Sequence, residues 1–304
     1  MEAAAEKLTV AITGATGLVG SRLVAKLSAQ GHTARVMTRN VAAARAKLPF
    51  LRTEFFAPQE WGAAVRGASG VVNLAGEPIG TRWTPAIKAE IKRSRVGVTR
   101  AIVDAIKACP EGQRPEVLVS TSAIGYYGAS QTQTFSEASG AGADYLAEVC
   151  REWEAEAQRS PTRTVIVRTG IVLAKEGGAL GKMLPVFNIF AGGPLGTGRQ
   201  WCSWIHRDDL VNLHMMALSS KSFDGVYNAT APNPVRMTEL CSALGSTLGR
   251  PSWIPVPAFA LATLLGAGAS VVLEGQRVLP KRAADAGFRF QFSHVGPALA
   301  SIFR

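Results

Sequence analysis

Between Leu8 and Thr13 the chain runs apolar without alternation, and glycines follow at once. A short continuous run of this kind predicts a strand buried on both faces. A helical pattern takes over from about Val19 to Gln30, and Gly31 stands where a left-handed residue would end it. Strands are predicted again at Thr33–Thr38, Gly70–Leu74, Val117–Ser120 and Thr164–Arg168. Helical stretches lie between them, one unbroken and amphipathic from Thr84 to Ile106 and one from Asp144 to Gln158. Strands alternating with helices make crossover units, hence a parallel sheet with both faces covered. The expected fold class is α/β, a doubly wound parallel (Rossmann) sheet.

Past Lys175 the texture changes. Gly177-Gly178, Gly192-Gly193-Pro194, Gly196 and Gly198 punctuate the chain, and the clean alternation is lost. The expected division is a Rossmann domain over 7–175 and a smaller C-terminal lobe over 176–304, partly interleaved with the sheet. That lobe should lie across the carboxyl edge, where such sheets bind ligands. The apolar stretch nearest to membrane-spanning length is Ala258 to Leu273, sixteen uncharged residues with two glycines. It is too short to cross a bilayer and is expected to be a buried helix. The opening MEAAAEKLTV lacks the basic-then-apolar order of a secretory signal and is acidic, unlike a transit peptide.

Lys plus Arg number 33 against 22 acidic residues, a net charge of +11. A generally basic surface is the plain explanation; an anionic cofactor or an anionic membrane face is the sharper one. There is no zinc finger, ribonucleoprotein signature or concentrated basic run, so nucleic acid is not an expected partner. Cys109, Cys150, Cys202 and Cys241 stand far apart with no Cys-x-x-Cys pair and read as free thiols. His32, His206, His214 and His294 show no metal-binding spacing, and no metal is expected.

The strongest local signal is Gly14-Ala-Thr16-Gly17-Leu18-Val19-Gly20, after a strand and at the opening of a helix. Gly14 permits a tight turn, Gly17 lets the backbone approach a pyrophosphate, and Gly20 lets the helix pack on the strand. The helix start adds unpaired N–H groups and a positive dipole end. The end of the second strand selects the nucleotide. Proteins that take NAD(H) place Asp or Glu there; this chain has Thr38-Arg39-Asn40. Arg39 can stack on adenine and pair with a ribose 2′-phosphate, and Thr38 can add a hydroxyl donor. NADP(H) is therefore the expected cofactor; the alternative is that Arg39 is a solvated loop residue. Small residues in Asn73-Leu74-Ala75-Gly76 let ribose and phosphates pass close to the backbone.

Further motifs follow in order. They are NLAGEPI (Asn73 to Ile79), TRW (Thr81 to Trp83), Ser94-Arg95, GYYG (Gly125 to Gly128) and VRTGIVL (Val167 to Leu173). After them come GGALGKMLP (Gly177 to Pro185), GGPLGTGRQW (Gly192 to Trp201), WIHRDDL (Trp204 to Leu210), APNPVR (Ala231 to Arg236) and LEGQRVLPKR (Leu273 to Arg282). With these the chain resembles the atypical extended short-chain dehydrogenases described as epimerase-like, from about residue 8 to the C-terminus. DYLAEVCREWE (Asp144 to Glu154) and RPSWIPVPAFAL (Arg250 to Leu261) look closest to the plant and cyanobacterial branch, which includes a plastid-division (giant-chloroplast) protein. The resemblance implies a Rossmann domain with a small C-terminal lobe and NADP(H) as cofactor. It implies cofactor contacts at the glycine loop, Thr38, Arg39, Leu74, Ala75, Glu90, Arg95 and the backbone near Ile171. It also implies a chloroplast location, in the stroma or at the stromal face of the inner envelope, with the transit peptide absent from this chain. The cytoplasm is the alternative. Peripheral association with that envelope and division-machinery partners would follow.

Short-chain dehydrogenases use a Tyr as acid and base, with a Lys four residues later that lowers the phenol's pKa. Four residues after Tyr126, Tyr127, Tyr145 and Tyr227 stand Ser130, Gln131, Val149 and Ala231, so that pair is missing. Ser122 is the candidate for an orienting hydroxyl, with Thr121 second, and Tyr127 could reach the nicotinamide side. Alternatively the hydroxyls satisfy nearby backbone groups and the tyrosines pack. His206 and Asp208 either line a substrate pocket or tie the lobe to the sheet. Two functions fit. One is an NADP(H)-dependent oxidoreductase or epimerase acting on a small-molecule substrate. The other is a catalytically silent, cofactor-bound scaffold or redox sensor in plastid division.

Overall fold

In the computed structural model, which describes residues 7–304, strand β1 (Thr9–Thr13) pairs in parallel with β2 (Thr33–Met37), and β2 with β3 (Thr53–Phe56). The chain then crosses to the other side of β1. There β4 (Gly70–Asn73) pairs with β1, and β5 (Val117–Ala123) with β4. After the short β6 (Thr134–Phe135) leaves the sheet, β7 (Arg163–Thr169) returns to pair with β5. The small lobe begins with β8 (Ile171–Ala174), β9 (Trp201–Cys202) and β10 (Trp204–His206). The chain comes back once more for β11 (Gly225–Ala229), which closes a seven-stranded sheet of order β11-β7-β5-β4-β1-β2-β3. Two further short strands, β12 (Val235–Arg236) and β13 (Arg277–Val278), pair with β9 and β6. The order reverses between β1 and β4, and a crevice opens there at the carboxyl edge.

The strands are apolar because both faces are covered. Val10, Ile12 and Val119 pack under the Leu18–Ala29 and Arg207–Ser219 helices. Ala11, Val71 and Leu118 pack under the Val98–Ala108 helix on the other face. A separate core around Leu173, Phe187, Trp204 and Leu240 holds the small lobe together. Gly31 closes the first helix at φ +74°. All four cysteines are buried and free.

Two expectations are corrected. The stretch from Thr84 to Ile106 is not one α-helix. It runs as an α-helix over Pro85–Lys92, a π-turn over Arg93–Gly97 and a second α-helix over Val98–Ala108. Side chains explain the wide turn. Ser94 Oγ and Arg95 Nη1 both donate to the Ile91 carbonyl, at 3.1 Å each, and Thr99 Oγ1 donates to the Arg95 carbonyl at 2.8 Å. Competition of this kind for backbone acceptors loosens the helical ladder. Ala258 to Leu273 is neither one helix nor buried. It breaks into Ala258–Leu265, Gly266–Ala269 and Ser270–Leu273, with Phe259 74% and Leu264 67% exposed. Its closest approach to the rest of the fold is at a glycine: a Cβ on Gly268 would stand 2.5 Å from the Thr81 carbonyl oxygen. Among the described residues no helix is long and apolar enough to cross a membrane.

Candidate functional site

The crevice begins at the glycine turn. Gly14 sits at φ +67°, and a Cβ there would stand 2.5 Å from the Leu74 carbonyl oxygen. A Cβ on Gly20 would stand 2.3 Å from the Gly14 carbonyl oxygen. Both positions are therefore closed to any side chain by the protein itself. Gly17 differs. Its backbone is extended, at φ −76°, and a Cβ there would stand 3.2 Å from the Gly14 carbonyl oxygen, a tight contact that a small backbone shift relieves. The helix that follows has no side-chain cap and no acidic residue in its first turn. Its leading N–H groups and positive dipole end are left for an anion.

Asn73, buried at the end of β4, fixes the facing loop. Its Oδ1 accepts from Thr13 Oγ1 at 2.7 Å and from the Ala75 N–H at 3.3 Å, and its Nδ2 donates to Thr99 Oγ1 at 2.8 Å. This role lies outside the sequence-derived set of site residues. The signal available was a polar residue closing an otherwise apolar strand.

Beyond the turn lies a cavity of about 280 Å³ lined by Thr16, Thr38, Arg39, Asn40, Ala43, Ala44 and Lys47. Asn40 caps the Val41–Lys47 helix by accepting from the Ala43 N–H at 3.0 Å, and Lys47, at the far end of that helix, lines the cavity. Arg39 is 77% exposed and its Nη2 lies 3.5 Å from Glu77 Oε1. Lys47 and Glu77 were both missed, since neither lies next to Arg39 in sequence.

The π-turn carries Ser94 and Arg95 to the same loop. The Glu77 N–H donates to Ser94 Oγ at 3.1 Å, and Arg95 Nη2 donates to the Glu77 carbonyl at 3.0 Å. Arg95 lies over the Trp153 ring and against Gly76, where a Cβ would stand 3.2 Å from the guanidinium. Burial pulls its pKa below the ordinary arginine value, and among the described residues it has no ion-pair partner. Glu90 is engaged by its own helix through two 2.7 Å bonds from Arg93, which lower its pKa, and its charge still reaches Arg39.

At the other end of the crevice, Ser122 and Tyr127 are corrected. Their side chains do not reach open space: Ser122 is 1% and Tyr127 3% exposed. Ser122 Oγ donates to Glu154 Oε1 at 2.6 Å. Arg168 donates to both oxygens of Glu154, at 2.8 and 2.7 Å, and to the Tyr127 hydroxyl at 3.0 Å. Tyr127 in turn donates to Asn228 Oδ1 at 2.7 Å. Burial pushes the Tyr127 pKa up, against the pull of Arg168 and Asn228. Burial alone would lower Arg168, but the Glu154 carboxylate outweighs it and holds the guanidinium above its ordinary value. These groups form a closed polar network inside the domain, unsuited to proton exchange with a substrate. Thr121, on the opposite face of β5, is partly buried, and its Oγ1 lies buried without a hydrogen-bond partner. Tyr145 donates to the Lys88 carbonyl at 2.6 Å. The Ile171 N–H is taken by the Ser203 carbonyl at 2.8 Å.

The WIHRDDL segment is a tie between lobe and sheet. His206 Nδ1 accepts from the Asp208 N–H at 3.1 Å, and Asp208 pairs with Arg22 at 2.6 Å. Asp209 accepts the backbone N–H groups of Gln291 and Phe292 at 2.8 and 3.0 Å. The small lobe also reaches the crevice. Lys182 bonds the Gly80 carbonyl, Arg82 Nη1 donates to the Thr263 carbonyl at 2.6 Å, and the Trp83 N–H donates to the Leu265 carbonyl at 3.2 Å.

A doubly wound sheet with this turn at its switch point defines a Rossmann-type protein with a dinucleotide-shaped crevice. Comparison with known proteins makes that specific. The model of the NAD dependent epimerase/dehydratase family matches residues 10–229, and a domain of unknown function matches residues 256–302. The chain belongs to that epimerase family. It is 54% identical to the epimerase family protein SDR39U1 homolog, chloroplastic, of Arabidopsis thaliana, over 98% of this chain and 87% of the relative. It is 36% identical to the Bacillus subtilis epimerase family protein YfhF, over 97% of this chain and 98% of that one. The crystal structure of human epimerase family protein SDR39U1 with NADPH superposes with a TM-score of 0.88 at 33% identity, covering 97% of this chain and 99% of that one.

Proposed function

We propose that this protein is an NADP(H)-binding oxidoreductase of its family that works in the plastid. One observation carries the coenzyme reading: the Gly14 to Gly20 turn, pressed against Leu74, opens onto a groove whose walls carry Arg39 and Lys47. Gly14, Thr16, Gly17, Leu18, Val19 and Gly20 hold the pyrophosphate. Thr38 and Arg39 hold the ribose 2′-phosphate, and Leu74, Ala75 and Gly76 lie along the ribose, with Arg95 fixing their loop from behind. The NADPH in the human relative's structure supports this reading, and the name of the Arabidopsis relative supports the plastid. Once bound, the coenzyme supplies hydride exchange at its nicotinamide. The chain contributes the 79–83 segment, held by the small lobe, to exclude water.

A second reading is favoured by the closed Ser122–Glu154–Arg168–Tyr127 network and the missing Tyr-x-x-x-Lys pair. In it the loaded protein does not turn over and acts through partners, including those of plastid division. Calorimetry on the apo protein tests the coenzyme: NADPH should bind at least tenfold tighter than NADH, and no heat with NADPH would end the proposal. Single-turnover mixing of the NADPH-loaded protein with a panel of small carbonyl compounds separates the readings. Loss of nicotinamide fluorescence supports the oxidoreductase, and its absence across the panel supports the silent holder.

A further inference from the structure

No carboxylate stands at the end of β2, where a partner for the ribose hydroxyls of NAD(H) would be expected. The fold brings one from elsewhere. Glu77, on the loop after β4, places Oε1 3.5 Å from Nη2 of Arg39. It is not a loosely hung side chain. Its N–H is held by Ser94 and its carbonyl by Arg95, and Pro78 restricts its backbone further. Among the described residues Glu77 is the one carboxylate paired with Arg39.

We infer that Glu77 is a specificity-determining residue: it competes with a ribose 2′-phosphate for Arg39 and so restrains the preference of the site for NADP(H) over NAD(H). The inference rests on the coenzyme assignment proposed above. A phosphate that docks on Arg39 comes within a few ångströms of the Glu77 carboxylate, whose backbone is anchored beside the crevice. Two anions then share one exposed cation, and their repulsion weakens the phosphate contact. NAD(H) brings no phosphate. With it, Glu77 keeps Arg39 and remains available to accept a ribose hydroxyl. The same carboxylate therefore opposes one coenzyme and tolerates the other.

Glu77→Gln removes the charge while keeping side-chain size and both backbone clamps. Calorimetric titration of parent and variant with NADPH and NADH at low ionic strength tests the inference. The variant should bind NADPH about three- to fivefold tighter, the range expected from removing one exposed charge contact. Its NADH affinity should stay level or fall, and the NADPH gain should shrink at high salt. Equal or weaker NADPH binding by the variant overturns the inference, as does an equal gain for both coenzymes. If the parent takes no NADPH, the coenzyme reading falls and this inference with it. If the parent binds and the variant matches it, this inference alone is lost.

Discussion

Ser122 Oγ and Glu154 Oε1 lie 2.6 Å apart inside the domain, and the same carboxylate oxygen accepts from Arg168 Nε at 2.8 Å. A hydroxyl expected to orient a substrate is instead committed to a buried ion pair. Glu154→Gln would leave the Arg168 charge buried without its counterion and should cost about 3–5 kcal/mol of stability. Ser122→Ala should cost only about 1 kcal/mol. Chemical denaturation reads both. NADPH affinity of Ser122→Ala should remain within about twofold of the parent, since stability rather than coenzyme contact is lost.

The first and third glycines of the turn differ from the second in what demands them. Gly20→Ala forces a Cβ into the Gly14 carbonyl and should destabilise the fold by about 1–3 kcal/mol. Gly17→Ala meets the Gly14 carbonyl at 3.2 Å, so it should cost less stability than Gly20→Ala, yet lose NADPH binding by tenfold or more, about 1.4 kcal/mol. Thermal melts with and without NADPH distinguish them. Equal loss of binding and stability in Gly17→Ala would contradict the assignment.

Arg39→Ala should weaken NADPH binding by about 10- to 100-fold, the loss of one charge-assisted phosphate contact, and leave NADH nearly unchanged. Fluorescence titration at two salt concentrations measures this. The parent's NADPH affinity should fall more steeply with salt than that of the variant.

His214 is completely buried on the Arg207–Ser219 helix, and its Nε2 has no partner. Burial pulls its pKa down to about 4, against the opposing bond to the Leu210 carbonyl. In the unfolded chain the imidazole titrates near its ordinary value, about 6.5. The unfolded state therefore takes up the proton first as pH falls. The contribution of His214 to stability should be lost between about pH 6.5 and 4 and be constant below, a total of roughly 3 kcal/mol. Burial lowers His206 too, so the parent loses more than this one group accounts for. His214→Leu should flatten the curve of unfolding free energy by about 1.4 kcal/mol per pH unit across that window. An unchanged slope would show that His214 is not held neutral.

The sheet was legible because burial on both faces leaves apolar runs, as in Val10-Ala11-Ile12 and Val71-Val72. The glycine turn was legible because its three-residue spacing between a strand and a helix is a local pattern, with Gly20 lying on the Gly14 carbonyl. What escaped depends on contacts distant in sequence. Ser122 and Arg168 share Glu154, 32 and 14 residues away. Arg39 meets a carboxylate 38 positions on, which no local pattern announces. Phe259 and Leu264 depart from the rule that an apolar run is covered; the segment is buried at Gly268 and Ala269, where it crosses Thr81, and not along its first helix. The helix interruption was hidden because a π-turn needs no glycine or proline, only side chains that capture carbonyls.

That turn constrains which length changes the chain could accept. A π-turn holds one residue more than an α-helix would. Removing one residue between Arg93 and Gly97 would let the helix wind regularly while the faces on either side keep their register, so Ile91 would stay in the hydrophobic layer. The Ser94–Arg95 grip on Glu77 is built on the wide turn itself and would come apart. The helix would survive such a deletion; the crevice wall it supports would lose its anchor.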